Sequence, residues 1–119
     1  MENYTETQSR MRRHKLLTQE LRNKLPKLYE AEGNMEASVA QVKFFSPYSN
    51  WTWYAVEFDG VDTFFGLVQG FELEYGYFSY SELEQAKVFD VIPAIERDCY
   101  WTPQNIHDIY DKLSGGVAV

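Results

Sequence analysis

Two short acidic stretches are the parts of this sequence best suited to chemistry. The first, residues 57–62, reads EFDGVD and carries the carboxylates of Glu57, Asp59 and Asp62 around a predicted hairpin tip of the Asp-Gly type. Carboxylate oxygens are ligands of hard divalent cations, so this tip could hold one. Asp59 and Asp62 are explained more simply as turn formers, because short acidic side chains accept hydrogen bonds from nearby backbone N–H groups.

The second stretch is Glu96-Arg97-Asp98. It could combine a proton donor or acceptor with a charged anchor, as general acid–base catalysis requires. Pairing of Arg97 with a neighbouring carboxylate, which would hold a strand in place, is the simpler interpretation. A small metal-dependent hydrolase or nuclease would need these acids beside Glu57 and Asp59 in one cleft, and nothing in the sequence brings them together.

Other catalytic and metal-binding patterns are missing from the sequence. It contains His14, His107 and a single Cys99, with no CxxC or HExxH spacing and no glycine-rich phosphate loop. Cys99 is predicted to be a small packed residue, because the sequence indicates no base beside it. We therefore expect no metal or cofactor and favour a non-enzymatic protein over an enzyme.

Charge is distributed unevenly along the chain, whose net charge is −7. Residues 1–27 carry seven Lys and Arg against three acids, whereas residues 28–119 carry four against fifteen. The acidic body should repel nucleic-acid phosphates. Only the N-terminal arm, with its cluster of Arg10, Arg12, Arg13 and Lys15, could attract them.

Aromatic residues are unusually frequent, at 20 of 119. Tyr48, Trp51 and Trp53 lie in or just after a predicted loop, and such rings are frequent anchors of protein interfaces. Core packing is the default for Trp53, whereas a core and an interface position are equally well supported for Tyr48 and Trp51. Together with acids of the predicted turns and strands, these rings give the predicted partner-binding residues: Tyr48, Trp51, Glu57, Asp59, Asp62, Glu72 and Glu74.

Residues 39–80 predict a meander of antiparallel strands. Runs of β-branched and aromatic residues are separated by residues 46–50, Asp59-Gly60 and Gln69-Gly70, which are typical of tight turns. Strands two and three are apolar on both faces, so the sheet must be covered on both sides or curl on itself. The predicted strands are about Val39–Phe45, Trp51–Phe58, Thr63–Val68 and Leu73–Ser79, with a fifth at Ile95–Trp101.

Three helical segments accompany the strands. An apolar stripe from Leu17 to Tyr29 predicts a helix capped by Thr18 and ended or kinked at Pro26, followed by a short second turn over Lys27–Ala31. Two overlapping capping boxes predict a short helix over residues 81–87. Thr102-Pro103 and an apolar face ending before Gly115-Gly116 predict a C-terminal helix, in accordance with N-capping and C-capping preferences.

These elements predict one α+β domain, an antiparallel meander of four to five strands packed with N-terminal, middle and C-terminal helices. We assign residues 1–15 to a mobile basic arm, residues 16–114 to the domain and residues 115–119 to a tail. No apolar run approaches the ~20 residues that span a bilayer. A single cysteine fits a reducing compartment, so we expect a cytoplasmic protein without membrane contact.

Several separated motifs resemble an uncharacterised bacterial domain family. They are LLT with LPKLY near residues 16–29, VKFFSPYSNWTWY at residues 42–54, EFDG, FFGLV, GYFS with EL, and IERD at residues 95–98. The resemblance covers roughly residues 16–103 and keeps the motifs in order. It implies a domain of unknown function carried on plasmids, phages and other mobile elements, and it supplies no activity and no catalytic residues.

Mobile elements need small proteins that disable host defence, and many defence enzymes hold nucleic acid in positively charged channels. The sequence therefore leads us to expect a non-enzymatic protein-binding module that inhibits such a complex, of the anti-CRISPR or anti-restriction type. Two alternatives remain: the small acidic hydrolase or nuclease, and an accessory protein that binds nucleic acid through its basic arm.

Overall fold

The fold is organised around a five-stranded antiparallel sheet, in which the strands lie side by side in the order Leu73–Ser79, Thr63–Gln69, Thr52–Phe58, Val42–Phe45 and Glu96–Arg97. The computed structural model of the chain describes residues 14–30, 34 and 38–119. The strands are β1 (Val39–Ala40), β2 (Val42–Phe45), β3 (Thr52–Phe58), β4 (Thr63–Gln69), β5 (Leu73–Ser79), β6 (Lys87–Val88), β7 (Ile92–Pro93), β8 (Glu96–Arg97) and β9 (Gln104–Asn105). The helices are α1 (Gln19–Lys24), α2 (Tyr80–Gln85) and α3 (Ile106–Ser114). The predicted α+β class and the meander are confirmed.

The predicted first strand was wrong in one respect, because the chain changes partners at Gln41. β1 pairs with β9, whereas β2 pairs with β3. The Gln41 N–H still donates to the carbonyl of Ala55 at 3.0 Å, so the chain stays beside β3 at the residue where its strand partner changes. A partner so far along the sequence leaves no local pattern from which the division could be predicted.

The predicted fifth strand joins the sheet but is much shorter than Ile95–Trp101. Only Glu96 and Arg97 pair with β2. The Asp98 N–H donates to the carbonyl of Lys43 at 2.9 Å, and the chain then turns away. The Asp98 carboxylate stabilises that turn by accepting the Tyr100 N–H at 3.0 Å.

The first two helices agree closely with the prediction. Thr18 caps α1 by accepting the Leu21 N–H at 3.2 Å, and α1 ends at Lys24, before Pro26. Ser79 caps α2, which begins one residue earlier than predicted. The predicted second turn, Lys27–Ala31, is described only as far as residue 30, and its end lies outside the described residues.

The predicted start of the C-terminal helix at Thr102-Pro103 was wrong. The N-cap of α3 is Asn105, whose side chain accepts the His107 N–H at 2.9 Å. Pairing of β9 with β1 holds the backbone extended through Asn105, so the helix cannot begin earlier. Its predicted end is confirmed, since Gly115 follows the last helical residue.

Both faces of the sheet are covered within the chain. The first face packs against the N-terminal segment, α2 and residues 94–95, and the second packs against α3. The buried residues of the first core are Leu16, Leu17, Leu25, Val42, Phe44, Ala55, Phe58, Phe64, Leu83, Ala94 and Ile95. Those of the second are Ala40, Tyr54, Val56, Leu67, Ile106 and Ile109.

Arg22 links α1 to the first core. Its guanidinium carbon lies 5.4 Å from the ring centre of Phe58 and 5.3 Å from that of Tyr80. The Tyr80 hydroxyl donates to the carboxylate of Glu84 at 2.7 Å. Burial, together with this carboxylate, raises the pKa of Tyr80 well above its ordinary value. The Tyr80 hydroxyl therefore stays protonated and acts as a hydrogen-bond donor within the core.

The N-terminal segment also closes one edge of the sheet. The Arg97 N–H in β8 donates to Nε2 of His14 at 3.2 Å, and its guanidinium donates to the carbonyl of Lys15 at 3.0 and 3.1 Å. Residues 1–13 of the predicted basic arm lie outside the described residues. None of the helices in the described ranges is long and apolar enough to cross a membrane.

Candidate protein-binding surface

One end of the sheet is formed by the β2–β3 loop and the β4–β5 turn. Thr52 pairs with Gln69, and Gln69 pairs with Leu73, so the loop before Thr52 lies beside the turn that follows Gln69. Three rings gather here, and we call Trp51, Trp53 and Phe71 the aromatic end.

Serine residues order the loop that leads into the aromatic end. The Ser46 N–H donates to the carbonyl of Trp51 at 3.0 Å, which closes the loop at its base. The Ser46 hydroxyl accepts the Tyr48 N–H, and the Ser49 hydroxyl accepts the Trp51 N–H, each at 3.2 Å. The loop therefore presents Tyr48, which is 52% exposed, from an ordered backbone.

The rings of the aromatic end contact one another at the surface. The ring centre of Trp51 lies 5.9 Å from that of Trp53 and 5.3 Å, edge to face, from that of Phe71. Trp51 also lies over Gly70, where an added Cβ would come within 2.4 Å of the indole. Trp51 is thus held on three sides, whereas Phe71 remains 95% exposed.

Two carboxylates lie next to these rings. Glu72 follows Phe71, and Glu74 lies on the same face of the sheet as Trp53, because Val68 pairs with both residues. Both glutamates are exposed. The ion pairs found within the described residues are Lys24–Glu20 and Lys43–Asp98, so neither Glu72 nor Glu74 has a described Lys or Arg partner.

The remaining predicted binding residues lie at the opposite end of the sheet, about 20 Å away along β3. Glu57 is only 4% exposed, and one of its oxygens accepts the Tyr29 N–H at 3.0 Å. Asp59 and Asp62 form the β3–β4 turn, which we call the acidic turn. The structure therefore divides the seven predicted residues into two groups, and their contact with a partner remains a prediction.

Hydrogen bonds within the chain occupy the acids of the acidic turn. One oxygen of Asp59 accepts the N–H groups of Val61, Asp62 and Thr63 at 2.8 to 3.0 Å. Asp62 accepts the Ser79 hydroxyl at 2.6 Å and the Ser81 N–H at 2.7 Å. These bonds tie the turn together and attach it to the start of α2.

The pKa values of these two acids reflect the same bonds. Desolvation alone would raise the pKa of Asp59, but the N–H donors of Val61, Thr63 and Asp62 outweigh it and leave the pKa below 3.8. For Asp62, desolvation is likewise outweighed by the Ser79 hydroxyl and the Ser81 N–H, so its pKa is also lowered. Both are ionised acceptors that stabilise the fold.

The Glu96-Arg97-Asp98 stretch borders a separate open cleft of about 440 Å³. His14, Lys43, Phe45, Cys99 and Tyr100 complete its lining. Cys99 is exposed, so the prediction that it is packed was wrong. The expectation that Arg97 pairs with a carboxylate was wrong, because its guanidinium donates to the Lys15 carbonyl. Its expected role in holding the strand is supported by that contact.

The acids proposed for a hydrolase do not form a cluster. In the part of the chain that the structure describes, no group of three or more His, Cys, Asp or Glu side chains could hold a metal ion. Asp98 instead lies 3.9 Å from the ammonium of Lys43. The nucleic-acid alternative rests on Arg10, Arg12, Arg13 and Lys15. The three arginines lie outside the described residues, whereas Lys15 is described and exposed.

Sequence reasoning missed Phe71, the most exposed ring of the aromatic end. Its position directly after the predicted Gln69-Gly70 turn was the available signal, since a residue at a hairpin tip has few neighbours. Phe71 joins the aromatic end because the Trp51 ring lies over Gly70 and makes an edge-to-face contact with the Phe71 ring.

Comparison with known proteins identifies a family and no activity. The model of the family described as "Protein of unknown function (DUF2958)" matches residues 16–115, which extends from the buried Leu16 to the end of α3. No curated protein and no solved structure matches the chain. The motifs that run from the N-terminal segment to β8 are thus those of a recognised domain, and the chain belongs to the DUF2958 family of proteins of unknown function.

Proposed function

We propose that this chain is a non-enzymatic protein-binding module and that the aromatic end contacts a partner with a basic surface. The observation that carries the proposal is Phe71, which is 95% exposed although it lies in ring contact with Trp51. Contiguous exposed apolar groups mark interaction surfaces, whereas single exposed apolar residues are common on soluble proteins.

The geometry of the rings favours binding. Covering a ring such as Phe71 contributes roughly 1.5–3 kcal/mol from apolar burial. Trp51 is already held by Gly70, Trp53 and Phe71, so little side-chain freedom is lost when a partner covers it. Buried aromatic anchors of this kind dominate many interface energies.

The charges favour a basic partner. Glu72 and Glu74 lie beside the rings without a described cation, and residues 28–119 carry fifteen acids against four Lys and Arg. Such a surface attracts Lys and Arg and repels phosphate. We extend the proposal to nucleic-acid-handling defence complexes of CRISPR or restriction systems, because their channels are basic and because the family resemblance implies a mobile-element setting.

The experiment measures binding of the purified chain to purified CRISPR and restriction complexes by biolayer interferometry at low and high salt. Phe71→Ser should weaken binding about tenfold or more, as expected for an aromatic anchor. Phe89→Ser is the matched control, because Phe89 is also 84% exposed but lies between β6 and β7.

Two results would count against the proposal. Equal losses from Phe71→Ser and Phe89→Ser would remove the aromatic end from the contact. Binding that does not weaken as salt is raised would remove the electrostatic part, because exposed charge pairs are screened by salt.

A further inference from the structure

We propose that the edge of β5 at Leu73 to Tyr75 receives an extended segment of the partner as a sixth strand, and that this segment alternates apolar and basic residues. The inference rests on the proposed function, since it specifies how a basic protein partner is held. The edge begins at Leu73, two residues after Phe71, so it continues directly from the aromatic end.

The hydrogen bonds that flank β5 show which of its backbone groups point outward. The Gly70 N–H donates to the Glu72 carbonyl at 3.0 Å, and the Tyr80 N–H donates to the Asp62 carbonyl at 2.8 Å. Hydrogen-bonded and non-hydrogen-bonded pairs alternate along an antiparallel ladder. Every second pair between these two bonds is therefore hydrogen-bonded, and Val68 with Glu74 is one of them. The backbone N–H and C=O groups of Glu74 thus point toward β4, whereas those of Leu73 and Tyr75 point away from β4.

Those outward groups are available for a further strand. β4 is the one strand that pairs with β5 within residues 14–30, 34 and 38–119. At the other edge, the two-residue β8 is already engaged, because the Arg97 N–H donates to His14. The contrast makes β5 the edge at which the sheet can grow.

β5 also lacks three features that often prevent strand addition, namely lysine, proline and a bulge. Its seven residues contain no lysine and no proline, and its register with β4 runs without a bulge from Leu73 to Ser79. Exposed edges of soluble proteins are normally interrupted by such features. A regular edge without them is a template for main-chain hydrogen bonds with an extended peptide.

The two faces of β5 determine the side chains that the added strand should carry. Glu74 faces the side of Trp53, where an added Cβ at Gly76 would meet nothing within 4 Å. Residues paired across neighbouring strands share a face, so the residue opposite Glu74 should be Lys or Arg. Leu73 and Tyr75 face α3, and Tyr75 stacks on Tyr110 at 5.3 Å, so their neighbours should be apolar.

Charge also decides between a partner segment and a second copy of the chain. A second β5 would bring a second Glu72 and Glu74 to an edge of a chain whose net charge is already −7. Like charges on neighbouring strands are destabilising, whereas opposite charges stabilise the pairing. The edge therefore suits a basic segment of a different protein.

The test uses a synthetic, end-blocked peptide that alternates valine and lysine and has the length of β5. Hydrogen exchange of the ¹⁵N-labelled chain is followed by NMR with and without this peptide. The Tyr75 amide should exchange about tenfold more slowly when the peptide is bound, whereas the Glu74 amide, which already bonds to β4, should change little. A peptide that alternates valine and glutamate should give no protection.

Charge reversal provides the matched variants. Glu74→Lys should weaken binding of the valine–lysine peptide about three- to tenfold, because an attractive cross-strand pair becomes a repulsive one. Glu20→Lys makes the same change of charge on α1 and should leave the affinity unchanged. If both charge reversals weaken peptide binding equally, the peptide is attracted only by the net charge of the chain. That result would overturn the proposed pairing of a basic residue with Glu74.

Two further results would overturn the inference. An unchanged Tyr75 amide at saturating peptide would show that no strand is added. Protection of Tyr75 that rises with protein concentration in the absence of peptide would assign the edge to a second copy. Either result leaves the proposed function intact if Phe71→Ser still weakens binding to a purified complex, so the two failures are distinguishable.

Discussion

The two ends of the sheet contain the same kinds of residue and use them differently. At the acidic turn, the carboxylates of Asp59 and Asp62 accept hydrogen bonds from the chain itself, and Glu57 is buried against the backbone of Tyr29. At the aromatic end, Glu72 and Glu74 are exposed and Phe71 projects into solvent.

An acid in a turn becomes structural when hydrogen-bond donors surround it. Asp59 and Asp62 have backbone N–H groups and a hydroxyl within 3.0 Å, so their charges are satisfied locally. Glu74 lies on an edge strand, where its carboxylate is exposed and forms no ion pair among the described residues. We expect stability to depend on the acidic turn and binding to depend on the aromatic end.

Asp62→Ala should have the largest effect on stability. Removal of its carboxylate leaves the Ser79 hydroxyl and the Ser81 N–H without this acceptor at the start of α2. We expect the free energy of unfolding to fall by about 2 kcal/mol, in the range for hydrogen bonds to a charged group. Urea denaturation measures it. Glu74→Ala is the control and should change stability by less than about 0.5 kcal/mol; equal losses would contradict the division.

Gly70→Ala should have the next largest effect, by disturbing the aromatic end itself. The new Cβ would come within 2.4 Å of the Trp51 ring, which must then move. We expect a loss of about 1 kcal/mol and a changed tryptophan fluorescence, because overpacking at a partly exposed site costs less than in a core. Gly76→Ala, which has open space around its Cβ, should leave the fluorescence unchanged.

The acidic turn should make the stability of the fold depend on pH. The pKa of Asp59 is lowered by folding, so its contribution is fully present above its unfolded value of 3.8 and is lost as the pH falls through the folded value. The difference in unfolding midpoint between the wild-type chain and Asp59→Asn should therefore shrink as the pH is lowered below 3.8. A constant difference would show that the charge of Asp59 contributes nothing.

Phe71→Ser should have the smallest effect on stability. The side chain is almost fully exposed and its described ring contact is with Trp51, so the free energy of unfolding should change by less than about 0.5 kcal/mol. Thermal unfolding followed by circular dichroism provides the measurement. A loss of several kcal/mol would show that Phe71 belongs to the fold and not to a binding surface.

The meander and the first two helices could be predicted because their signals are local. Asp59-Gly60 and Gln69-Gly70 mark the turns, and Thr18 and Ser79 mark the helix starts. The sequence also indicated that the sheet is covered on both sides or curls on itself, because strands two and three are apolar on both faces. The structure shows core residues on both faces.

The errors came from contacts between distant residues. Thr102-Pro103 has the local pattern of a helix start, but pairing of Asn105 with Val39 keeps that segment extended. The burial of Glu57 likewise depends on an N–H that Tyr29 donates from another part of the chain. The residues next to Asn105 and Glu57 in the sequence indicate neither contact. The predicted binding residues could therefore not be divided into their two groups from the sequence.

The division between the two ends of the sheet is tested by measuring binding and stability for Phe71→Ser and Asp59→Asn side by side, with a purified defence complex that binds the wild-type chain. Phe71→Ser should lose about tenfold or more in affinity and keep its unfolding midpoint, whereas Asp59→Asn should lose stability and keep its affinity. The reverse pattern, or a panel of complexes in which none binds the wild-type chain, would contradict the account.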